Sequence, residues 1–180
     1  MSGDDDGAGG SGARALLRRL ADRVVREAPA APGAEAQRVG TAAPEIESPT
    51  LGGKPFKLSG LKGRPVVMTF WGTWCPPCRD EFPELADAYN KHHADGLEVV
   101  AVNQRDQELS DTAVQKFVDE FSAPFTIVLD PKGRSRRAYR LVGLPTTVFI
   151  DTAGVITKVF SGPITREQLG VGLTTLGITR

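Results

Sequence analysis

The sequence predicts one α/β domain whose central sheet contains parallel strands and is covered by helices on both faces. Short runs of β-branched and aromatic residues alternate along the chain with longer segments in which apolar residues recur at helical spacing. The runs are apolar nearly throughout, which is typical of strands buried on both faces. With 180 residues, of which 40% are hydrophobic, the chain is long enough for one such domain and a tail.

Composition separates an N-terminal tail, residues 1–38, from a folded domain, residues 39–180. We expect residues 1–12, which are rich in Gly, Ser and Asp, to be disordered. Residues 14–28 place leucines and valines on one side and arginines mostly on the other, so they predict a short basic amphipathic helix. This segment lacks the aromatic anchors of a membrane-surface helix, which favours a solvated or weakly docked helix. Residues 29–40 are interpreted as a linker rich in Pro, Ala and Gly.

Charge and hydropathy argue against several classes of protein. The formal net charge is zero, which gives no reason to expect nucleic acid as a partner. No apolar run reaches the roughly 18 residues that a membrane-spanning helix needs. Charged residues at positions 18, 19, 22 and 23 interrupt what would be the apolar region of a signal peptide. The sequence by itself therefore predicts a protein that stays in the compartment where it is made.

Residues 43–58 predict a β-hairpin ahead of the main sheet, with its turn at Gly52-Gly53. The predicted strands of the main sheet are the apolar runs and the segment after a turn at 151–154: 65–71, 97–103, 125–129, 146–151 and 155–161. The predicted helices are the amphipathic segments between and after them: 79–93, 113–121, 134–141 and 165–176. The stretch Ser110-Asp111-Thr112 is predicted to cap the second helix.

The only two cysteines, Cys75 and Cys78, form a C-x-x-C motif where a predicted strand ends and a predicted helix begins. The first turn of a helix has unpaired N–H groups and a partial positive charge, which stabilise a thiolate. Thiols in such motifs titrate with a pKa of about 3.5 to 7.5, compared with about 8.5 for a free thiol. We therefore expect Cys75 to be the nucleophile and the more enclosed Cys78 to be the resolving thiol.

The two residues between the cysteines indicate the direction of the chemistry. Pro76 and Pro77 suit a helix start, because the N–H groups that they lack have no partner there and their fixed φ stiffens the motif. Neither residue adds positive charge near the thiolate. We therefore expect a reductant and not a strong oxidant.

Other interpretations of the cysteine pair remain open at this point. A structural zinc site needs about four ligands, and the only histidines, His92 and His93, are adjacent near a helix end. A peroxidase of the peroxiredoxin type has Pro seven residues and Thr three residues before its reactive cysteine, where this chain has Met68 and Gly72. A purely structural disulfide would close a loop too short to stabilise the fold much.

The second stretch with functional residues is Gly143-Leu144-Pro145-Thr146-Thr147. A proline that opens a strand removes a donor from the sheet, and X-Pro bonds are those that adopt the cis form at low cost. We predict a cis Leu144-Pro145 bond beside the cysteines, which would leave the Leu144 backbone free to pair with an extended substrate chain. The residues that we expect to contact substrate are Trp74, Pro76, Leu144 and Pro145.

Three stretches together resemble the TlpA/ResA/CcmG-like thiol-disulfide oxidoreductases of bacteria: residues 70–78 around the cysteines, Val99 to Asn103, and Leu144 to Asp151. The resemblance covers about residues 39–178. It implies a thioredoxin fold, in which a central mixed β-sheet has helices on both faces, with an N-terminal β-hairpin extension and an inserted strand-helix unit. It also implies that Cys75 attacks, that Cys78 resolves, and that Pro145 is the cis proline of the substrate groove.

The resemblance also implies a catalytic acid. Ordinary thioredoxins have a buried Asp six residues before the first cysteine, where this chain has Thr69, which cannot act in the same proton transfer. Members of the resembled family instead often have an acid three residues after the second cysteine, and Glu81 matches that position. On the helix face of Cys78, a Glu81 carboxylate would raise cysteine pKa values by like-charge repulsion and relay a proton. Asp80 is interpreted as a surface residue.

The family further implies an extracytoplasmic protein with a membrane tether, which receives electrons from a thiol-disulfide relay and often reduces apocytochrome c for haem attachment. Because no signal peptide or anchor is evident, a cytoplasmic location is the alternative. We expect a monomer without cofactor or metal, whose partners are a disulfide-containing protein substrate and an upstream thiol-disulfide electron donor. The alternative functions are a thiol-dependent peroxidase and a copper carrier that uses the same thiols, although neither His92 nor His93 is well placed for copper.

Overall fold

The structure, a computed structural model, describes residues 39–179. The tail and the basic helix predicted for residues 1–38 lie outside the described residues, so the domain boundary stays a prediction. Within the described range, no helix is long and apolar enough to cross a bilayer. The first element is the predicted hairpin, in which β1 (Glu47–Pro49) pairs antiparallel with β2 (Pro55–Lys57).

A mixed five-stranded sheet forms the centre of the domain. Its strands are β3 (Val66–Trp71), β4 (Glu98–Asn103), β5 (Thr126–Leu129), β6 (Thr146–Ile150) and β7 (Ile156–Ser161). Their order across the sheet is β5-β4-β3-β6-β7. β3, β4 and β5 are parallel, whereas β6 runs antiparallel to both of its neighbours, β3 and β7. The predicted mixed sheet is therefore confirmed, with β3 at its centre.

Four helices connect or follow these strands: α1 (Pro76–His92), α2 (Asp111–Glu120), α3 (Arg134–Ala138) and α4 (Arg166–Thr175). α1 begins earlier than predicted because the fixed φ of its two prolines suits a first helical turn. α3 is shorter than predicted because Arg140 has a φ of 44°, outside the right-handed helical region. The segment between β4 and α3, called the insertion below, contains a loop, then α2 and then β5, and Ser110 caps α2 through its Oγ atom.

Side chains of β3 alternate between two apolar cores, one on each face of the sheet. Val67 and Trp71 belong to the first core, which α1, α2 and α4 cover. Met68 and Phe70 belong to the second core, which the hairpin and the end of α3 cover. Every residue of β3 is buried, so packing on both faces fixes the position of this strand.

Tyr139 ties the segment before the hairpin to the second core. Its ring centroid lies 4.9 Å from that of Phe70, and its hydroxyl donates a 2.6 Å hydrogen bond to the Pro44 carbonyl. Burial raises the pKa of the Tyr139 phenol, so the hydroxyl stays protonated and remains a donor. The hairpin turn is also attached to β5, because the Leu51 N–H donates to the Ile127 carbonyl at 2.9 Å.

Three aromatic rings in the first core hold α1 against β3 and α2. The Trp71 ring centroid lies 4.7 Å from that of Phe82 in α1 and 4.6 Å from that of Phe117 in α2. The rings of Phe82 and Phe117 meet edge to face at 4.9 Å. Each such pair contributes about 0.5–1.5 kcal/mol beyond its buried area. This trio therefore fixes the end of β3 relative to the helix that carries the cysteines.

Gly172 allows α4 to pack closely against the sheet. A Cβ atom at this position would overlap the ring of Phe149 in β6, and Phe149 is fully buried. Gly170 lies on the exposed side of the same helix, where an added Cβ would meet open space. The two glycines of α4 therefore form a matched pair, of which only one serves packing.

The substitution Gly172→Ala is expected to destabilise the protein by about 1–3 kcal/mol, because the added methyl group forces the Phe149 ring or α4 to move. Gly170→Ala should instead stabilise it by about 0.5–1 kcal/mol, since alanine favours the helix without any clash. Denaturant unfolding followed by circular dichroism measures both free energies. Equal effects of the two substitutions would contradict the close contact between α4 and β6.

Candidate active site

The two cysteines lie where β3 gives way to α1, as the sequence predicted. Cys75 is the N-cap residue of α1 and has extended backbone angles, φ −99° and ψ 101°. Pro76 and Pro77 follow it in the first turn. The Cys78 N–H then donates to the Cys75 carbonyl at 3.1 Å, which closes this turn. The Cys75 side chain is therefore at the positive end of a helix of 17 residues.

Cys75 and Cys78 are joined by a disulfide bond, with their Cα atoms 5.3 Å apart. Both side chains are buried, but Cys75 keeps 4% of its surface in contact with solvent and Cys78 keeps 0%. The prediction that Cys78 is the more enclosed of the two is confirmed. Cys75 is therefore the more accessible of the two cysteines to an incoming thiol.

Trp74 covers the loop that precedes the cysteines. A Cβ atom at Gly72 would lie 2.9 Å from the Trp74 indole, so only glycine lets the ring rest on this backbone. The other side of the ring faces solvent, because Trp74 is 50% exposed. Pro76 is also exposed. Two of the residues predicted to contact substrate are thus accessible next to the disulfide.

The predicted cis bond between Leu144 and Pro145 is confirmed. Pro145 directly precedes Thr146, whose partner in β3 is Phe70, so the proline lies at the same edge of the sheet as the cysteine motif. The Thr146 hydroxyl donates to the Gly143 carbonyl at 2.9 Å and fixes the loop. Within residues 39–179, the backbone N–H and C=O of Leu144 have no hydrogen-bond partner, which leaves them available to a ligand.

Glu81 is almost completely buried, one helical turn after Cys78. The Thr69 hydroxyl donates a 2.6 Å hydrogen bond to its Oε1 atom, and the Thr147 hydroxyl lies 3.5 Å from that of Thr69. The Glu81 Oε2 atom has no hydrogen-bond partner of normal geometry among the described residues. A single carboxyl group and two hydroxyls therefore form a small polar cluster inside the first core.

Burial is the main cause of an unusual protonation equilibrium at Glu81. It raises the pKa of the carboxyl group from 4.5 to about 7, although the Thr69 hydroxyl and the Ile164 backbone N–H act in the opposite direction. Thr69 had been predicted to lack the function of the buried Asp that ordinary thioredoxins have at this position of the strand. The structure shows what Thr69 does instead, which is to orient a carboxyl group that comes from the helix.

Sequence reasoning missed Glu108, which holds the loop before the cysteines. Its carboxylate accepts hydrogen bonds from the Thr73 N–H at 2.7 Å and from the Asn103 side chain at 2.8 Å, as well as from the Thr73 hydroxyl. Thr73 and Glu108 are separated by 35 residues. No local pattern marks such a contact, because it depends on where the insertion begins relative to the ends of β3 and β4.

Arg79, the residue after Cys78, is attached to the insertion as well. Its guanidinium lies 5.1 Å from the ring centroids of both Phe117 and Phe121, and it forms an ion pair with Glu120. Cation–π contacts of this kind contribute about 0.5–1 kcal/mol at exposed sites. Together with Glu108, these contacts connect the insertion to both sides of the cysteine motif.

The remaining candidates do not gather around the disulfide. His92 ends α1, about 20 Å from Cys78 along the helix axis, and His93 follows it. Asp80 is exposed, as predicted. Across residues 39–179, no group of three or more His, Cys, Asp or Glu residues is arranged to hold a metal ion.

Known proteins are similar to this chain in sequence and in fold. The sequence profile of the AhpC/TSA family matches residues 39–159, which include the cysteine motif and the cis proline. The thiol-disulfide oxidoreductase ResA of Bacillus subtilis is 37% identical over 137 residues, which cover 76% of this chain and 75% of that protein.

Solved structures agree with this assignment. A candidate thiol:disulfide interchange protein DsbE of Chlorobium tepidum superposes with a TM-score of 0.71 at 34% identity, covering 78% of this chain and 99% of that one. A secreted disulfide oxidoreductase of Mycobacterium tuberculosis superposes with a TM-score of 0.64 at 26% identity, covering 73% and 96%. The predicted thioredoxin fold is confirmed. The chain belongs to the AhpC/TSA family and, within it, to the ResA-like thiol-disulfide oxidoreductases.

Proposed function

We propose that this enzyme reduces protein disulfides with Cys75 as the nucleophile and Cys78 as the resolving thiol. The observation that carries the proposal is the difference between the two sulfurs. Cys75 lies at the helix N-terminus and reaches solvent, whereas Cys78 is enclosed behind it. A helix N-terminus stabilises the thiolate that must attack, and an enclosed second thiol can react only with its neighbour.

The reaction proceeds through two exchange steps that balance in electrons and protons. In the reduced enzyme, the Cys75 thiolate attacks one sulfur of the client disulfide, and the other client sulfur leaves as a thiolate. The Cys78 thiolate then attacks the Cys75 sulfur, which forms the enzyme disulfide and releases the second client thiolate. Two electrons pass to the client, and its two sulfurs take up two protons. An upstream dithiol protein returns the enzyme to its reduced state by the same chemistry in reverse.

Glu81 would supply and accept the proton that these steps require at Cys78. Its carboxyl group is one turn from Cys78, it is shielded from water, and its pKa of about 7 leaves it partly protonated near neutral pH. A general acid works best when its pKa is close to the working pH. The hydrogen bond from Thr69 holds Oε1, whereas Oε2 has no hydrogen-bond partner of normal geometry among the described residues, so Oε2 is the oxygen that would carry the proton.

Trp74, Pro76, Leu144 and Pro145 would form the substrate groove. The exposed Trp74 ring and Pro76 flank the disulfide on one side, and the cis Leu144-Pro145 bond lies on the other. Because the Leu144 N–H and C=O have no partner among the described residues, a client chain can pair with them as an added strand.

The family gives the best indication of the partners and of the location. We place the enzyme outside the cytoplasm, because a related oxidoreductase of 26% identity is secreted and because folded clients hold disulfides mainly in oxidising compartments. A cytochrome c precursor whose haem-binding cysteines have become oxidised is the client that we propose. We further propose that the enzyme acts as a monomer.

The roles of the two cysteines predict different behaviour of their serine variants. Reduced Cys78→Ser should attack a client disulfide and stop at a covalent adduct, because no resolving thiol is left. Cys75→Ser should form no adduct, since its remaining thiol is enclosed. Non-reducing electrophoresis and mass spectrometry of the mixtures identify the adduct. The reverse pattern, with an adduct only in Cys75→Ser, would contradict the assignment.

The raised pKa of Glu81 predicts how stability depends on pH. Between about pH 4.5 and pH 7 the folded protein keeps a proton at Glu81 that the unfolded chain has lost, so stability falls as pH rises through this range. The decline amounts to at most about 3 kcal/mol. Glu81→Gln should remove this decline in stability, whereas Asp80→Asn, a substitution on the same helix, should leave it unchanged. Urea unfolding of the oxidised proteins across this range measures the slopes, and a slope unchanged in Glu81→Gln would disprove the protonation at Glu81.

The proton-transfer role of Glu81 predicts a pH profile for reduction of the enzyme disulfide. When dithiothreitol attacks Cys75, Cys78 leaves as a thiolate and takes a proton from Glu81. The rate constant per dithiothreitol thiolate should therefore fall, by up to about 10²-fold, as pH rises through about 7. Glu81→Gln should react slowly at every pH with no such decline. Stopped-flow tryptophan fluorescence measures the rates, and an unaltered decline in Glu81→Gln would exclude the role.

A further inference from the structure

Three of the five exposed large apolar side chains of the described residues belong to segments at the edge of the sheet that carries the disulfide. Among the large apolar residues of the described range, the strongly exposed ones are Val39, Trp74, Leu109, Val142 and Val171. Leu109 and Val142 are the most exposed of them, at 98% and 85%. A single exposed apolar residue needs no explanation, but several at one place mark an interaction site.

Sheet topology brings three of these residues to one edge. Trp71 at the end of β3 is paired with Asn103 at the end of β4, and Phe70 is paired with Thr146 at the start of β6. The segments with Trp74 and Leu109, which follow β3 and β4, and the segment with Val142, which precedes β6, therefore lie at the same edge of the sheet. β3 lies between β4 and β6, so the segment with Leu109 follows the strand on one side of β3 and the segment with Val142 precedes the strand on the other side.

The loop that carries Leu109 is anchored on both sides of this residue. The preceding residue, Glu108, accepts the hydrogen bond from the Thr73 N–H, and Thr73 is the neighbour of Trp74. The following residue, Ser110, accepts a 3.1 Å hydrogen bond from the Ala113 N–H and caps α2. Leu109 is thus held in an exposed position, and the hydrogen bond that joins Glu108 to Thr73 connects its loop to the loop of Trp74.

Val142 is anchored in a comparable way. On its N-terminal side, the Leu141 N–H donates to the Arg136 carbonyl at 3.0 Å. On its C-terminal side, the Gly143 carbonyl accepts the hydrogen bond from Thr146, ahead of the cis proline. The backbone therefore presents the Val142 side chain to solvent at a fixed place.

Three charged residues near this edge, Arg79, Arg105 and Glu108, have partners within the protein. Arg79 is paired with Glu120, and Arg105 is paired with Asp111. The Glu108 carboxylate is engaged by Thr73 and Asn103. These three side chains are therefore already engaged within the protein when a client reaches the disulfide.

We propose that Leu109 and Val142, together with Trp74, form an apolar docking surface that selects extended client segments with apolar side chains on both sides of the reactive cysteine. The inference rests on the proposed function and adds to it a substrate class. It also gives the insertion a role in binding, because Leu109 belongs to the segment that leads into α2. Such a client would bury one apolar side chain against Leu109 and another against Val142, and the free energy of burying this apolar surface favours its binding.

Two synthetic peptide disulfides test the selection. Each is a disulfide-linked dimer of a peptide with one cysteine, flanked in one peptide by leucines and in the other by serines. The fully reduced, full-length enzyme reacts with each in single-turnover experiments, and 2-hydroxyethyl disulfide serves as a small reference substrate. The variants are Leu109→Ser, Val142→Ser and their combination. Val171→Ser, which alters an exposed valine on α4 far in sequence from this edge, is the matched control.

Wild type should reduce the leucine-flanked peptide faster than the serine-flanked one. In the combined variant, the ratio of the rate constants for the leucine-flanked and serine-flanked peptides should fall about tenfold, which corresponds to about 1.4 kcal/mol. Val171→Ser should keep the wild-type ratio. Two results would overturn the docking surface but not the proposed function. One is a combined variant that still prefers the leucine-flanked peptide as strongly as wild type does. The other is a wild type that reduces 2-hydroxyethyl disulfide but reduces the two peptides at equal rates. A wild type that reduces none of the three disulfides would refute the proposed function itself.

Discussion

The burial of strand β3 on both faces is the constraint on which the rest of the structure depends. Because both cores hold the strand, its last residue, Trp71, has one position, and the rings of Phe82 and Phe117 attach α1 to it. The first turn of α1 then has to present Cys75 at the edge of the sheet. The same alternation that places Val67 and Trp71 in the first core places Thr69 between them, beneath α1. One strand therefore sets the positions of the sulfur atoms and of the hydroxyl that orients Glu81.

The features that could be predicted from the sequence have local causes. The strand-to-helix junction follows from an apolar run beside two prolines, and the cis bond follows from a proline that opens a strand. The contacts that were missed are long-range. Glu108 reaches Thr73 across 35 residues, and the bond from Thr69 to Glu81 joins a strand to a helix above it. From the sequence we could say only that Thr69 is not an acid. Its hydrogen bond to Glu81 could not be predicted, because it depends on the strand register and on how deeply Glu81 is buried.

The structure around the disulfide argues against the alternative function as a peroxidase. A peroxiredoxin would need Pro seven positions and Thr three positions before Cys75. Met68 points into the second core, on the face of the sheet opposite to the cysteines. Gly72 lies under the Trp74 ring, where a larger residue would collide with the indole. Neither position offers a side chain that could bind a peroxide beside Cys75. The geometry around the sulfur therefore favours exchange with another disulfide, for which an exposed ring and a free backbone segment are suitable contacts.

The two attachments of the insertion have a consequence for how proteins of this architecture diversify. Glu108 holds the loop before the cysteines, and Glu120 with its neighbouring rings holds Arg79 after them. The reactive groups themselves belong to β3 and α1. As long as these attachments persist, substitutions in the exposed part of the insertion leave the sulfur chemistry intact. Partner choice and redox reactivity can therefore evolve independently on one scaffold.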